Sequence, residues 1–293
     1  MRTSPAGALT ANMRRFVLAA SVLTFVGGAL IYGPSDDTER WFAWDIEPPL
    51  TAAFLGANFW ATAVAAFLAA RQGSWERVRL VIPAVGVLMP FTLAATLMHL
   101  DRFDFRSGFG WAWLVAYGLF PAFLAPILAE QRRAWERPPE RRPFPFAMAL
   151  ALSLLGVGLI AEGAALFLDP AAAARFWPWP LTPLTSRAVA AWLLAYGVAA
   201  LHASWERDWL PYWPIAVTYT GFGLLQLLAL ARWGEVVDWD EVAGRTYVGG
   251  VVAMLLLGAL GVVAVARRPG RATTARAATA EPPPTQPAPT GTS

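Results

Sequence analysis

An all-α fold, a polytopic transmembrane helical bundle of about eight spans built from two parallel four-span repeats, is what this sequence predicts. Three observations carry that expectation. Eight apolar stretches of roughly 17 to 22 residues lie between Arg15 and Ala266, the length an α-helix needs to cross ~30 Å of hydrocarbon. The Arg residues fall unevenly in the loops between those stretches. Short blocks of residues also recur in the same order in the two halves of the chain.

The spans run over about 16–33, 51–70, 80–99, 111–129, 147–168, 188–204, 212–231 and 246–267. The first follows Arg14 and Arg15 and stays apolar through Ile31, with no small-x-small site cleanly after it. It therefore reads as a retained span and not as a cleaved signal peptide. Pro49-Leu50-Thr51 opens the second span, Pro90 lies inside the third, and Pro121 and Pro126 interrupt the fourth. Proline removes a helix hydrogen bond, so these two spans are expected to kink. The fifth carries Glu162, Pro180-Leu181-Thr182 leads into the sixth, the seventh carries Gln226, and the eighth holds Gly249, Gly250, Gly258 and Gly261. The chain thus divides into a cytoplasmic N-terminus (1–15), a first four-span repeat (16–129), an Arg/Pro linker (130–146), a second repeat (147–267) and a disordered cytoplasmic tail (268–293).

With 293 residues, 57% of them hydrophobic, the chain has no room for a separate soluble domain. The absence of cysteine excludes disulfides, thiolate nucleophiles and Cys-based metal sites. His99 and His202 are too few for a bis-His haem pair, and no cofactor or bound metal is expected. All 23 basic residues are Arg, a usage that points to a GC-rich bacterial genome. They form no basic stripe and the net charge is only +3, which argues against nucleic acid and leaves membrane lipids and a small-molecule substrate as the expected partners.

With the N-terminus placed inside, sixteen of the 23 Arg fall in inner segments, and Arg40, Arg102, Arg106, Arg175, Arg187, Arg232 and Arg245 fall outside. Excess Arg in short inner loops orients bacterial membrane proteins, so both termini are expected in the cytoplasm and the protein in the inner (plasma) membrane.

The duplication rests on three blocks. Gly27 to Trp44 aligns without gaps on Glu162 to Trp179, matching Arg40 with Arg175 and Trp44 with Trp179. Pro-Leu-Thr follows in each half, and Ser74-Trp75-Glu76-Arg77 returns as Ser204-Trp205-Glu206-Arg207. Beyond them, Pro83 and Phe91 match Pro214 and Phe222. Units with an even number of spans enter the membrane in the same direction, so the copies should be related by an axis along its normal. The Ser-Trp-Glu-Arg segments read as helix caps and headgroup anchors, and the outer tryptophans as interfacial anchors.

Rise per residue places Glu162, Gln226 and Asn58 in one layer of the outer third, below His99, Asp101 and Asp104 at the outer end of the third span. A carboxylate facing lipid is costly, and Gly158 and Ala165 beside Glu162 allow close helix approach, so Glu162 is expected to face the bundle interior. Glu162, Gln226, Asn58, His99 and Asp101 are the candidates for a substrate or proton pathway. A structural role for a Glu–Gln hydrogen bond between packed helices stands beside that reading.

Segments 41–57, Trp-Phe-Ala-Trp-Asp-Ile-Glu-Pro-Pro-Leu-Thr-Ala-Ala-Phe-Leu-Gly-Ala, and 99–105, His-Leu-Asp-Arg-Phe-Asp-Phe, carry a resemblance over the spans. On them the chain resembles a group of bacterial multi-pass membrane proteins with no assigned activity, which implies a class and no mechanism. The function expected is that of a small-molecule permease or transporter-like protein. The alternatives are an intramembrane enzyme acting on a lipid or polyprenyl substrate at the outer leaflet, with His99, Asp101 and Glu162 as its groups, and a structural or assembly protein. Only Glu162 is an ionisable group well inside a span, and catalysis needs two, so the enzyme is the weaker reading.

Overall fold

The computed structural model describes residues 7–135 and 141–267. The tail expected over 268–293, the first six residues and linker residues 136–140 lie outside the described residues. The rest is all-α, with no strand among the described residues. Eight helices build it: α1 (Ala11–Tyr32), α2 (Pro49–Gln72), α3 (Ile82–Met98), α4 (Gly108–Arg133), α5 (Phe146–Leu168), α6 (Pro183–Glu206), α7 (Trp209–Trp233) and α8 (Val242–Ala266). Single helical turns at Thr38–Trp41 and Pro170–Ala173 sit in the loops after α1 and α5.

Seven of the eight are long and apolar enough to cross a membrane, which makes this a multi-pass membrane protein. The exception, α3, has 17 residues and Pro90 inside it. It still runs from one end of the bundle to the other. Just before it, the Arg79 side chain meets Glu206 at the end of α6; just after it, the Asp104 amide donates to the Ala43 carbonyl beyond α1.

Local chemistry sets the boundaries. The Thr10 hydroxyl accepts from the Met13 amide to start α1, and the Asp208 carboxylate accepts from the Leu210 amide to start α7. The α2 helix starts on Pro49, whose missing N–H costs nothing at that position, and stops at Gly73 in the left-handed region (φ 65°). For α6 the expected start needs correction. Pro180-Leu181-Thr182 stays outside the helix, and the second copy of that tripeptide, Pro183-Leu184-Thr185, opens it. Thr182 and Thr185 form a capping box there, with Pro183 in the first turn.

The Ser-Trp-Glu-Arg copies also differ. Gly73 ends α2 before the first copy, which folds as a 3₁₀ turn with Trp75 buried, whereas Ala203 carries the second copy into the last turn of α6 with Trp205 88% exposed. Trp75 and Trp205 are therefore not equivalent. Trp75 and Trp209 make parallel backbone bonds: the Trp75 amide donates to the Gly7 carbonyl, and the Trp209 amide to the Arg142 carbonyl. Around them, Leu9 donates to Gly73 and Phe144 to Arg207.

At the opposite end, Asp104 donates to Ala43 while Asp238 donates to Pro178. Phe42, Trp44 and Trp113 pack ring against ring there (4.8–5.3 Å), as do Trp177, Trp179 and Tyr247 (4.9–5.3 Å). Trp44, Trp177 and Trp179 are buried, so these tryptophans are core and not the interfacial anchors expected of them. The extended segments that carry them fold back over the helix ends.

The two most buried helices, α2 and α6, form the centre. α1 and α7 pack on α2, α5 and α3 pack on α6, α8 lies along α7, and α4 is held loosely at the edge. Glycines set the closest approaches: a Cβ on Gly197 of α6 would stand 2.8 Å from the Gly156 carbonyl oxygen, and one on Gly163 3.1 Å from the Ala190 carbonyl oxygen. Residues 7–10, 73–79, 142–144 and 206–209 gather at one end, joined by Gln131, whose amide accepts from Thr10 and donates to Ala8. α8 returns to that end, because Gly261 lies against Tyr212, so both ends of the described chain are on one side.

Candidate functional site

Asn58 on α2 and Gln226 on α7 are both fully buried. Their relative depth follows from one contact: a Cβ on Gly221 would lie 3.3 Å from that of Ala61, which fixes the register of these antiparallel helices. From there Asn58 is three residues towards the end that carries the Trp44 and Trp179 clusters and Gln226 five, an offset of ~3 Å along the axis. The two residues therefore lie at similar heights along the bundle.

Aromatic rings enclose this junction of α2, α6 and α7. Phe54 meets Phe222 at 5.4 Å, Phe59 meets Trp192 at 5.4 Å, and Tyr196 meets Phe222 at 5.6 Å. Buried hydroxyls nearby donate to helix carbonyls: Tyr32 to Leu225 (2.7 Å), Tyr219 to Tyr196 (2.7 Å) and Ser21 to Ala63 (3.0 Å). The Tyr196 hydroxyl has no such carbonyl partner, and most of the amide atoms have none either. Asn58 Nδ2 donates to the Phe54 carbonyl, but Asn58 Oδ1 and both Gln226 Oε1 and Nε2 are buried with no hydrogen-bond partner among the described residues. A buried polar atom left unpaired costs about 1–3 kcal/mol, and three of them in one layer are unusual.

The junction carries no charge of its own. No ionisable Asp, Glu, Arg or His occurs on α2 before Arg71, on α7 between Trp209 and Arg232, or on α6 between Arg187 and His202. It offers amide donors and acceptors in an apolar, aromatic setting.

Glu162 is not part of it. The expectation of an inward face is overturned: Glu162 lies exposed on the outer surface of α5, together with Gly158 and Ala165. The inward stripe of α5 is Leu152, Gly156, Leu159, Gly163 and Leu166, one position away in register. Gly158, offered as the sign of close packing, has nothing within 4 Å of its Cβ position.

His99, Asp101 and Asp104 do not converge either. Asp101 is exposed beside Arg102 (3.3 Å), and the Asp104 carboxylate accepts from the Arg106 amide within its own turn. His99 instead meets Arg187, which opens the second turn of α6: Arg187 Nη1 lies 2.8 Å from His99 Nε2, and Arg187 Nε donates to the Phe167 carbonyl. An arginine can only donate, so Nε2 is the unprotonated nitrogen. Burial, and after it the Arg187 charge, lower the His99 pKa below the ordinary imidazole value. Among the described residues no three His, Asp or Glu side chains are placed to hold a metal ion.

One charged cluster was not anticipated as such. Arg79, between α2 and α3, holds both repeated glutamates: its Nε is 2.7 Å from Glu76, and its Nη1 and Nη2 donate to the two carboxylate oxygens of Glu206 at 2.7 and 3.1 Å. Trp135 Nε1 donates to Glu76, and Arg141 stands 3.7 Å from Glu206. The bidentate fork makes Arg79 a cross-link between the two halves. The signal for it was the recurrence of Glu76 and Glu206, but nothing in the sequence pointed to Arg79 as their shared partner.

The chain matches no protein-family model, no curated protein and no solved structure.

Proposed function

We propose that this protein passes a small, uncharged polar solute across the membrane, with the Asn58–Gln226 junction as the station where that solute sheds water. The observation that carries the reading is the set of three unpaired amide atoms at one depth on facing helices. Inside hydrocarbon such atoms gain most from a guest that both donates and accepts hydrogen bonds. The uncharged surroundings favour a neutral guest, since an ion at that depth would need a counter-charge. A catalytic role gains no support, because His99, Asp101 and Glu162 point to three different places.

With that reading we infer eight spans, including the 17-residue α3, arranged as two copies of a four-helix unit related by an axis along the membrane normal. The paired amide bonds of Trp75 and Trp209, Leu9 and Phe144, and Asp104 and Asp238 favour it. The site then lies at the contact between the copies, a common location in transporters. The Arg asymmetry favours cytoplasmic termini, and the resemblance to bacterial multi-pass proteins favours the inner membrane.

The test is solute flux. Purified protein in liposomes, followed by light scattering in urea or glycerol gradients, should equilibrate faster than protein-free liposomes. Asn58→Leu and Gln226→Leu should return the rate to that of lipid alone while keeping the helical content, because apolar replacements relieve the unpaired atoms instead of breaking contacts. A native protein that moves neither solute faster than bare lipid overturns the proposal.

A further inference from the structure

The slot between α1 and α4 is a second feature with a chemistry of its own. Its outer chamber, about 220 Å³, is walled by residues such as Leu30, Phe42, Phe59, Phe109, Trp113 and Tyr117. An inner chamber of about 110 Å³ follows, with Met13, Val17, Val78 and Leu124 in its wall and one charged side chain, Arg77, whose guanidinium lies over the Trp213 ring. The two meet at Ala20 and Phe120, where the rings of Phe16 and Phe120 touch at 4.5 Å. The wall is apolar throughout the outer chamber; even the Thr24 hydroxyl is spent on the carbonyls of Ala20 and Ser21 in its own helix.

This slot is specific to one edge of the bundle. On the other edge α8 is drawn tightly onto α7 by glycines: a Cβ on Gly258 would stand 2.7 Å from the Ala216 carbonyl oxygen, and one on Gly223 2.7 Å from Leu255. On α4 the central Gly118 has nothing within 4 Å, and Pro121 and Pro126 interrupt the helix ladder instead. From Met13 to Leu30 the slot follows α1 for ~26 Å, most of the ~30 Å of a bilayer's hydrocarbon. At the end where α1 begins, a third hollow, on the lipid-facing side of Phe16 and Phe120, is bounded by Arg15 and Asn12. Asn12 donates to the Glu130 carboxylate there, and Arg14 and Arg15, both exposed, outnumber that single negative charge at the mouth.

We propose that the slot is a lipid site that takes one hydrocarbon chain of an anionic phospholipid, with its phosphate at Arg15 and its chain running between α1 and α4 towards Trp113. The apolar outer chamber selects the chain, and the arginines at the mouth select the head. The slot shares the Phe59 ring with the Asn58–Gln226 junction but neither of its amides, and the proposal does not rest on the solute reading.

The test uses the whole chain reconstituted in vesicles of phosphatidylethanolamine and phosphatidylglycerol, purified back in mild detergent and analysed by native mass spectrometry. The native protein should retain a phospholipid, enriched in phosphatidylglycerol over the vesicle ratio. Ala116→Trp, which fills the outer chamber, should lose it, and Leu119→Trp on the outward face of α4 should keep it. Arg15→Gln should retain lipid without the phosphatidylglycerol enrichment. Gly27→Leu fills the same chamber from the α1 side and serves if Ala116→Trp does not fold. Retention of lipid by the filled variants at the native level, or no retained lipid on the native protein, overturns the proposal.

Discussion

Glu162 and Gly163 are sequence neighbours on α5, about 100° apart around the helix, one exposed at the surface and one packed into α6. Hydropathy could not tell those faces apart, because in a membrane helix the lipid-facing and protein-facing sides are both apolar. A rule that works for most intramembrane carboxylates pointed Glu162 inward. The better signal was the spacing of glycines: Gly156 and Gly163, seven residues apart, mark the packed stripe, while Gly158 lies off it. Replacement of Gly163 by Leu should therefore lower stability by about 1–3 kcal/mol or more through overpacking against Leu194 and the Ala190 carbonyl. Glu162→Leu should leave stability unchanged or raise it. Thermal unfolding of the two variants in the same detergent checks both outcomes. Asn58 and Gln226 were legible as polar residues at one depth, since depth needs only rise per residue. That they lack partners was not, because pairing depends on which helices touch.

Helix positions were legible in the sequence almost throughout, and the ends were less so. The span read as 188–204 begins at Pro183, since Ser186 and Arg187 are drawn into the membrane helix by bonds to the Leu166 and Phe167 carbonyls at the end of α5. Repeated motifs were legible as repeats but not as local structure, because the residue before them decides: Gly73 stops a helix and Ala203 continues it. The consequence is that Glu76 and Glu206 reach Arg79 from different backbones, one from a 3₁₀ turn and one from a helix end. Both carboxylates are largely buried, at 6% and 16% side-chain exposure, so removal of the arginine leaves two like charges facing each other. Arg79→Met should destabilise by roughly 2–4 kcal/mol. Arg79→Met combined with Glu206→Gln should recover a substantial part of that loss, as a double-mutant cycle on denaturation would show. Equal loss in the single and double variants would mean that Arg79 acts through packing on Trp135 instead.

At the scale of the whole molecule, the eight helices of the described residues enclose an aromatic and aliphatic core in which Asn58 and Gln226 are fully buried at similar heights. The class of fold follows from span length and composition alone. The pairing of helices does not, because it is set by glycine contacts and end-to-end amide bonds that only the folded chain brings together. The loosely held α4 and the tightly drawn α8 illustrate this: both are apolar helices of similar length, and the prolines inside α4 and the glycines of α8 and α7 at their contact distinguish them. The functional account stands or falls on the junction between α2, α6 and α7. An experimental map of the protein in lipid nanodiscs, at a resolution that shows ordered solvent, tests it most directly. The account predicts density for water or a small solute within hydrogen-bond distance of Asn58 Oδ1 and the Gln226 amide. A junction in which the two amides close on each other, or on neighbouring carbonyls, with no such density would contradict it.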